Sequence, residues 1–161
     1  MDRFALRESF TQRLAELRGV SCESVLAVEY AEAPRDAVYA VGTSIGFADG
    51  TKVEAQFWRL SKEKRPLLSI FDHRRQYGLP TPIDAVEVLR GELVGKKISE
   101  AAMDGATGDL RFGFEGGASL EIFNFTAYEI WSVTFADGSG QLSNYALQEG
   151  EPGAMVVVRG E

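Results

Sequence analysis

From Val25 onward the chain is written in short runs of β-branched and aromatic residues separated by turn pairs: Asp49-Gly50, Gly116-Gly117 and Asp137-Gly138. An Asp-Gly pair between two such runs is a strong hairpin signal, because a tight two-residue turn needs positive φ, which glycine adopts without strain. Recurring along one chain, this punctuation points to an antiparallel sheet with hairpin tips at 49–50 and 137–138. The strands expected from it are VLAVEY, AVYAVGTSIGF, TKVEAQFWRL, LLSIFDH, DLRFGFE, ASLEIFNF, AYEIWSVTFA, GQLSNYAL and a short last strand AMVVVR. The charged stretch 61–66 reads as a break, 76–82 as a turn-rich linker and 100–109 as a loop.

Two segments carry helical spacing instead. Leu6, Phe10, Leu14 and Leu17 form one apolar stripe over residues 3–18, with Asp2 as N-cap and Gly19 as the stop. Residues 83–94 follow roughly the same rule through Ile83, Val86, Leu89 or Arg90, and Leu93, with Pro82 in the first turn and Gly95 at the end. The fold class is therefore α+β: an N-terminal helix and one further helix packed on a mainly antiparallel, curled sheet, a sandwich or partial barrel. A length of 161 residues suits one domain. Within it, IGFADGTKVE (45–54) resembles FGFEGGASLE (112–121) at an offset of 67, so residues 37–60 and 109–136 read as two related hairpin units.

Charge narrows the partners. Residues 1–99 hold 15 Lys/Arg against 14 Asp/Glu, a net of +1, while residues 100–161 hold 2 against 10, a net of −8; together these make the −7 of the whole chain. An acidic half disfavours nucleic acid and anionic membrane and attracts a basic protein. The single cysteine, Cys22, allows no intrachain disulfide, and residues 2–18 are too charged for a signal core, so a cytoplasmic protein is expected.

Several motifs resemble chemistry without completing it. Gly42-Thr43-Ser44-Ile45-Gly46 fits the G-x-S-x-G nucleophile elbow, but the elbow needs a helix after the serine, and here a hairpin follows. The one histidine, His73, has the adjacent Asp72 as its nearest downstream acid, which is poorly placed to orient its own neighbour. Gly91 to Lys97 lacks the spacing and the Ser/Thr of a phosphate loop and reads as a helix end. One His and one Cys make no zinc set, and Asp104 and Asp109 flank DGATGD as turn formers; no cofactor or metal is expected. Arg59, Lys62, Lys64, Arg65, Arg74 and Arg75, bordered by Trp58 and Tyr77, read as a solvated surface or an ion-pair surface facing the acidic half. In the aromatic run 123–131, Trp131 shares a face with Glu129, Val133 and Phe135, while Tyr128 shares the other with Ile130 and Ser132, the pattern of a central strand.

One stretch carries a family likeness. Gly95, Lys96 and Ile98, then Asp109, Leu110 and Phe114, then Leu120 and Phe123, then Tyr128, Glu129 and Trp131 follow the order G-K-x-I, D-L-x-x-x-F, L-x-x-F, Y-E-x-W. This resembles a pattern in small bacterial domains, some of them similar to immunity proteins of polymorphic toxin systems. The resemblance implies a non-catalytic, cytoplasmic bacterial protein that binds and neutralises a partner. The residues expected to contact it are Asp104, Asp109, Glu115, Glu121, Tyr128, Glu129 and Trp131, and the expected partner is a basic protein. Two other readings stay open: a small-molecule-binding or hydrolytic enzyme with a pocket near Tyr128–Trp131, and a homodimer with a structural role.

Overall fold

Alternation of apolar and polar positions produces two antiparallel sheets facing each other across a shared core. The computed structural model describes residues 10–31, 33–34, 37, 40–124 and 129–143, and the backbone of 156–157. The strands are β1 Cys22–Glu29, β2 Val41–Phe47, β3 Lys52–Ala55, β4 Trp58–Lys62, β5 Arg65–Ser69, β6 Ile98–Met103, β7 Leu110–Phe114, β8 Ala118–Ile122, β9 Trp131–Thr134, β10 Ser139–Leu142 and β11 Val156–Val157. Sheet one runs β1-β2-β3-β9-β10-β11 and sheet two β5-β4-β8-β7-β6. Every described pairing is antiparallel. The α+β class expected from the sequence is the one observed.

The inward rows interlock. Thr43, Ile45 and Phe47 of β2, Val53 of β3 and Val133 of β9 are buried, as are Leu60 of β4, Phe112 of β7 and Leu120 of β8. Phe47 stacks on Phe112 with ring centroids 6.1 Å apart. The Trp58 Nε1–H donates to Thr43 Oγ1 at 2.9 Å, joining β4 to β2 through a fully buried polar contact.

Both expected hairpin tips are present. Gly50 and Gly138 have φ of +95° and +84°, and the Asp49 and Asp137 carboxylates accept the N–H groups of Thr51 and Ser139. The two similar hairpins occupy equivalent positions, one in each sheet. Gly46 pairs with Lys52 in β2–β3, and Gly113 pairs with Ser119 in β7–β8, each residue displaced by the same 67 positions.

Three sequence expectations need correction. Residues 51–60 are two strands in different sheets: Val53 and Ala55 face inward, then Trp58 and Leu60, so the buried parity changes and the chain crosses at Gln56-Phe57. The crossing is satisfied by Gln56 N–H to the Ile130 carbonyl and Phe123 N–H to the Phe57 carbonyl. Residues 61–66 form a hairpin, not a break: Glu63 and Lys64 take φ of +51° and +65°, and β5 begins at Arg65. Residues 98–103, read partly as loop, are β6; a bulge between Ile98 and Glu100 hides its alternation.

The first helix, α1, is described over residues 10–15 and buries Phe10 and Leu14, with Leu17 buried in the turn that follows; Asp2 and Leu6 lie outside the described residues. Phe10 stacks on Trp131 at 6.0 Å and meets Phe135 edge-on, while the Arg13 guanidinium lies 4.3 Å from the Phe135 centroid. The second helix, α2 (Ala85–Leu93), starts three residues after Pro82, with Asp84 as N-cap accepting the Glu87 N–H. Its C-terminal stretch seals the free edge of β1: Arg90 Nε–H donates to the Val25 carbonyl and Gly95 N–H to the Cys22 carbonyl.

Thr43→Val keeps the shape of the side chain and removes the acceptor that the described residues give the Trp58 indole N–H. The variant should lose about 1–3 kcal/mol in urea unfolding. Adding Trp58→Phe should then cost less than the same change in the parent, because the orphaned donor is gone.

Candidate functional site

The residues singled out in the sequence divide among several places. Gly42 to Gly46 lie within β2, with Ser44 on the outer face, and no helix follows. The glycines serve packing: a Cβ at Gly42 would lie 2.5 Å from Tyr30 Oη, and one at Gly46 2.5 Å from Ser24 Oγ. His73 is engaged elsewhere, its Nδ1 accepting the Ala85 N–H at the start of α2 at 3.1 Å. Gly91 to Lys97 form the end of α2, with Gly95 at φ +83°. Cys22 is buried, and burial pushes its thiol up to about 11, which suppresses the reactive thiolate.

Of the expected contact residues, Asp104, Asp109 and Glu121 share a trough with Arg111 on sheet two. Their carboxylates are already engaged. Asp104 Oδ1 accepts the Ala106 and Thr107 N–H groups, Asp109 Oδ1 accepts that of Asn124, and Glu121 pairs with Arg59 at 2.7 Å. Glu115 follows the opposite end of β7. Glu129 is exposed just before β9, beside Tyr30, Glu54 and Ser132. Trp131 faces the core, its Nε1–H bound to the Gly108 carbonyl at 3.0 Å, and Tyr128 lies outside the described residues. Among the described residues no group of three or more His, Cys, Asp or Glu could hold a metal ion.

A different surface is assembled by residues 64–83. β5 is the edge of sheet two, and it ends in a 3-10 turn, Ile70–Asp72. There Asp72 Oδ2 accepts the Ser69 N–H and Ser69 Oγ accepts the Phe71 N–H, a reciprocal cap. Ile70 points into the core and anchors the turn, while Phe71 stacks on Phe57 with centroids 5.6 Å apart and stays half exposed. The chain then makes a loop closed at its base: Arg74 N–H to the Ile83 carbonyl at 2.8 Å and Ile83 N–H to the Arg75 carbonyl at 2.7 Å. Within it, Leu79 N–H meets the Gln76 carbonyl, Gln76 Nε2 meets the Leu79 carbonyl, and Tyr77 Oη donates to Asp72 Oδ1 at 2.9 Å. Arg74 and Tyr77 take φ of +67° and +46°, conformations that strain a residue with a side chain.

This stretch keeps four large apolar groups in water: Leu67, Phe71, Tyr77 and Leu79 are 50, 48, 67 and 47 % exposed. It also contains much of the basic cluster. Arg59 pairs with Glu121 of the acidic half, but Lys62 and Arg74 pair with Glu92 and Glu29 outside it. Lys64, Arg65 and Arg75 form no ion pair with the described residues. The sequence showed the cations and Tyr77; it gave no signal that Leu67, Phe71 and Leu79 stay exposed, since that depends on what covers them.

Comparison with protein-family models, curated proteins and solved structures finds no match to this chain. No helix among the described residues is long and apolar enough to cross a membrane.

His73 sits at the base of the loop with only 13 % of its side chain exposed. Burial lowers its pKa below the ordinary value, Arg74 adds to this, and Asp84 and Glu29 oppose it. The unfolded chain therefore binds the proton more readily, so the contribution is full above the ordinary histidine range and lost as pH falls through the folded value. Urea midpoints should drop as pH falls from about 7.5 to about 5.5, and His73→Asn, which keeps an uncharged acceptor for Ala85, should flatten that slope.

Proposed function

We propose that this chain is a non-catalytic protein-binding domain whose contact surface is the segment 64–83. Four large apolar side chains held in water carry this reading, Leu67 on β5, Phe71 in the 3-10 turn, and Tyr77 and Leu79 on the closed, hydrogen-bonded loop. Exposed apolar surface gathered in one place marks interaction sites, and these four side chains fall within residues 67–79. The loop's internal bonds and left-handed residues fix it before any partner arrives, which lowers the ordering cost of association. Loops on a rigid scaffold are common carriers of recognition. A cytoplasmic protein that neutralises a partner by covering it, as the likeness to immunity-type domains implies, would use such a surface.

A second reading keeps the basic partner expected from the charge asymmetry. It is favoured by the convergence of Asp104, Asp109 and Glu121 in one trough. The engagement of all three carboxylates by the protein's own groups weighs against it.

The test is site-specific photo-crosslinking, with a benzophenone side chain placed in turn at Tyr77, Glu115 and Asp104. Adduct formation with a discrete protein should be strong from position 77 and weak from the other two. Excess unlabelled protein should suppress it, and the double variant Tyr77→Ser/Leu79→Ser should not. Stronger adducts from position 104 would favour the trough, adducts with the chain itself would favour the homodimer, and equal yields from all three positions would defeat the reading.

A further inference from the structure

We infer that the segment 64–83 takes an acidic peptide carrying apolar side chains, read through side chains and not by strand addition; this rests on the segment being the contact surface. Arginine and lysine are placed on the described surface in two ways. Arg13, Lys52, Arg59, Lys62, Arg74, Arg90 and Arg111 each have a carboxylate partner. Arg18, Lys96 and Lys97 have none and follow the described ends of α1 and α2. Lys64, Arg65 and Arg75 also have no carboxylate partner among the described residues, and these three flank the exposed apolar group along the chain. In a chain of net charge −7, three unneutralised cations around an apolar centre form a surface complementary to carboxylates around apolar anchors.

The edge strand beside them does not invite sheet extension. Pro66 has no N–H to offer, and Leu67 is the extra residue of a bulge, since Ser61 pairs with Pro66 and Leu60 with Leu68. Both features blunt an edge against a pairing strand. The ligand is therefore read by Leu67, Phe71, Tyr77 and Leu79, with cations at both ends. Lys64 and Arg75 are separated along the chain by β5, whose five residues span roughly 16 Å, and by the 3-10 turn. Cations spread over that reach match carboxylates distributed along a short peptide better than one convergent phosphate.

The experiment is fluorescence anisotropy with labelled peptides of about seven residues, alternating Asp/Glu with Leu/Phe, against counterparts carrying Lys or Ser in place of the acids. Single-stranded DNA and vesicles containing anionic lipid serve as competing probes. Acidic peptides should bind in preference to both counterparts, and affinity should fall about tenfold or more between low salt and about 0.5 M. Lys64→Glu/Arg65→Glu/Arg75→Glu should reduce binding by a similar factor with an unchanged melting temperature, and Tyr77→Ser/Leu79→Ser should abolish it. Equal binding of acidic and basic peptides, no binding of acidic peptides, or preference for DNA or vesicles would overturn the inference. Should Tyr77 crosslink a partner while acidic peptides fail, the contact surface stands and only its proposed chemistry falls. Loss on charge reversal without loss in the Tyr77/Leu79 variant would instead defeat the contact surface itself.

Discussion

Backbone hydrogen bonds between Gly19–Cys22 and Gly95–Ile98 hold together parts of the chain some 75 positions apart. Gly19 N–H meets the Ile98 carbonyl, Ile98 N–H the Val20 carbonyl, Cys22 N–H the Lys96 carbonyl and Gly95 N–H the Cys22 carbonyl. Both helices end at this clasp, and both sheets begin there, β1 on one side and β6 on the other. A buried backbone group without a partner is costly, so neither segment settles without the other. Once they are joined, the inner faces of the two sheets oppose each other. The Phe47–Phe112 stack and the Trp58–Thr43 hydrogen bond then become available to the core.

The parts of this fold that the sequence announced are those whose backbone geometry demands a particular residue. Gly50 and Gly138 sit at positive φ, and their positions were readable for that reason. The Glu63-Lys64 turn has the same left-handed backbone without a glycine, so local chemistry gave no sign of it. The crossing at Gln56-Phe57 was hidden because residues on both sides favour strands; only the change of buried parity from Ala55 to Trp58 betrays it. In β6 a bulge disguised the alternation in the same way. Trp131 was readable as a member of a buried row, and the structure places it in the core with Val133 and Phe135.

The candidate site was legible only in its charged part. Arg65, Arg75 and Tyr77 stood out by type, whereas Leu67, Phe71 and Leu79 look like any apolar residues of a strand and a loop. Exposure is a tertiary property, set here by the absence of any described element over the outer side of β5 and the loop. The acids of residues 100–161 show the converse. Their number was plain, but Asp104 and Asp109 are used to shape turns, and Glu121 is used to hold Arg59. Composition counts charges without telling which are already engaged.

The loop between Arg74 and Ile83 is closed by its own backbone bonds, and its apolar tip touches little that the two sheets need. Ile70 and the paired bases of the loop fasten it to the scaffold, while Tyr77 and Leu79 stand beyond them. Mutational drift at the tip is thus uncoupled from drift in the core. Should the tip be the contact surface proposed above, a few changes there would alter what it meets and leave the scaffold as it is.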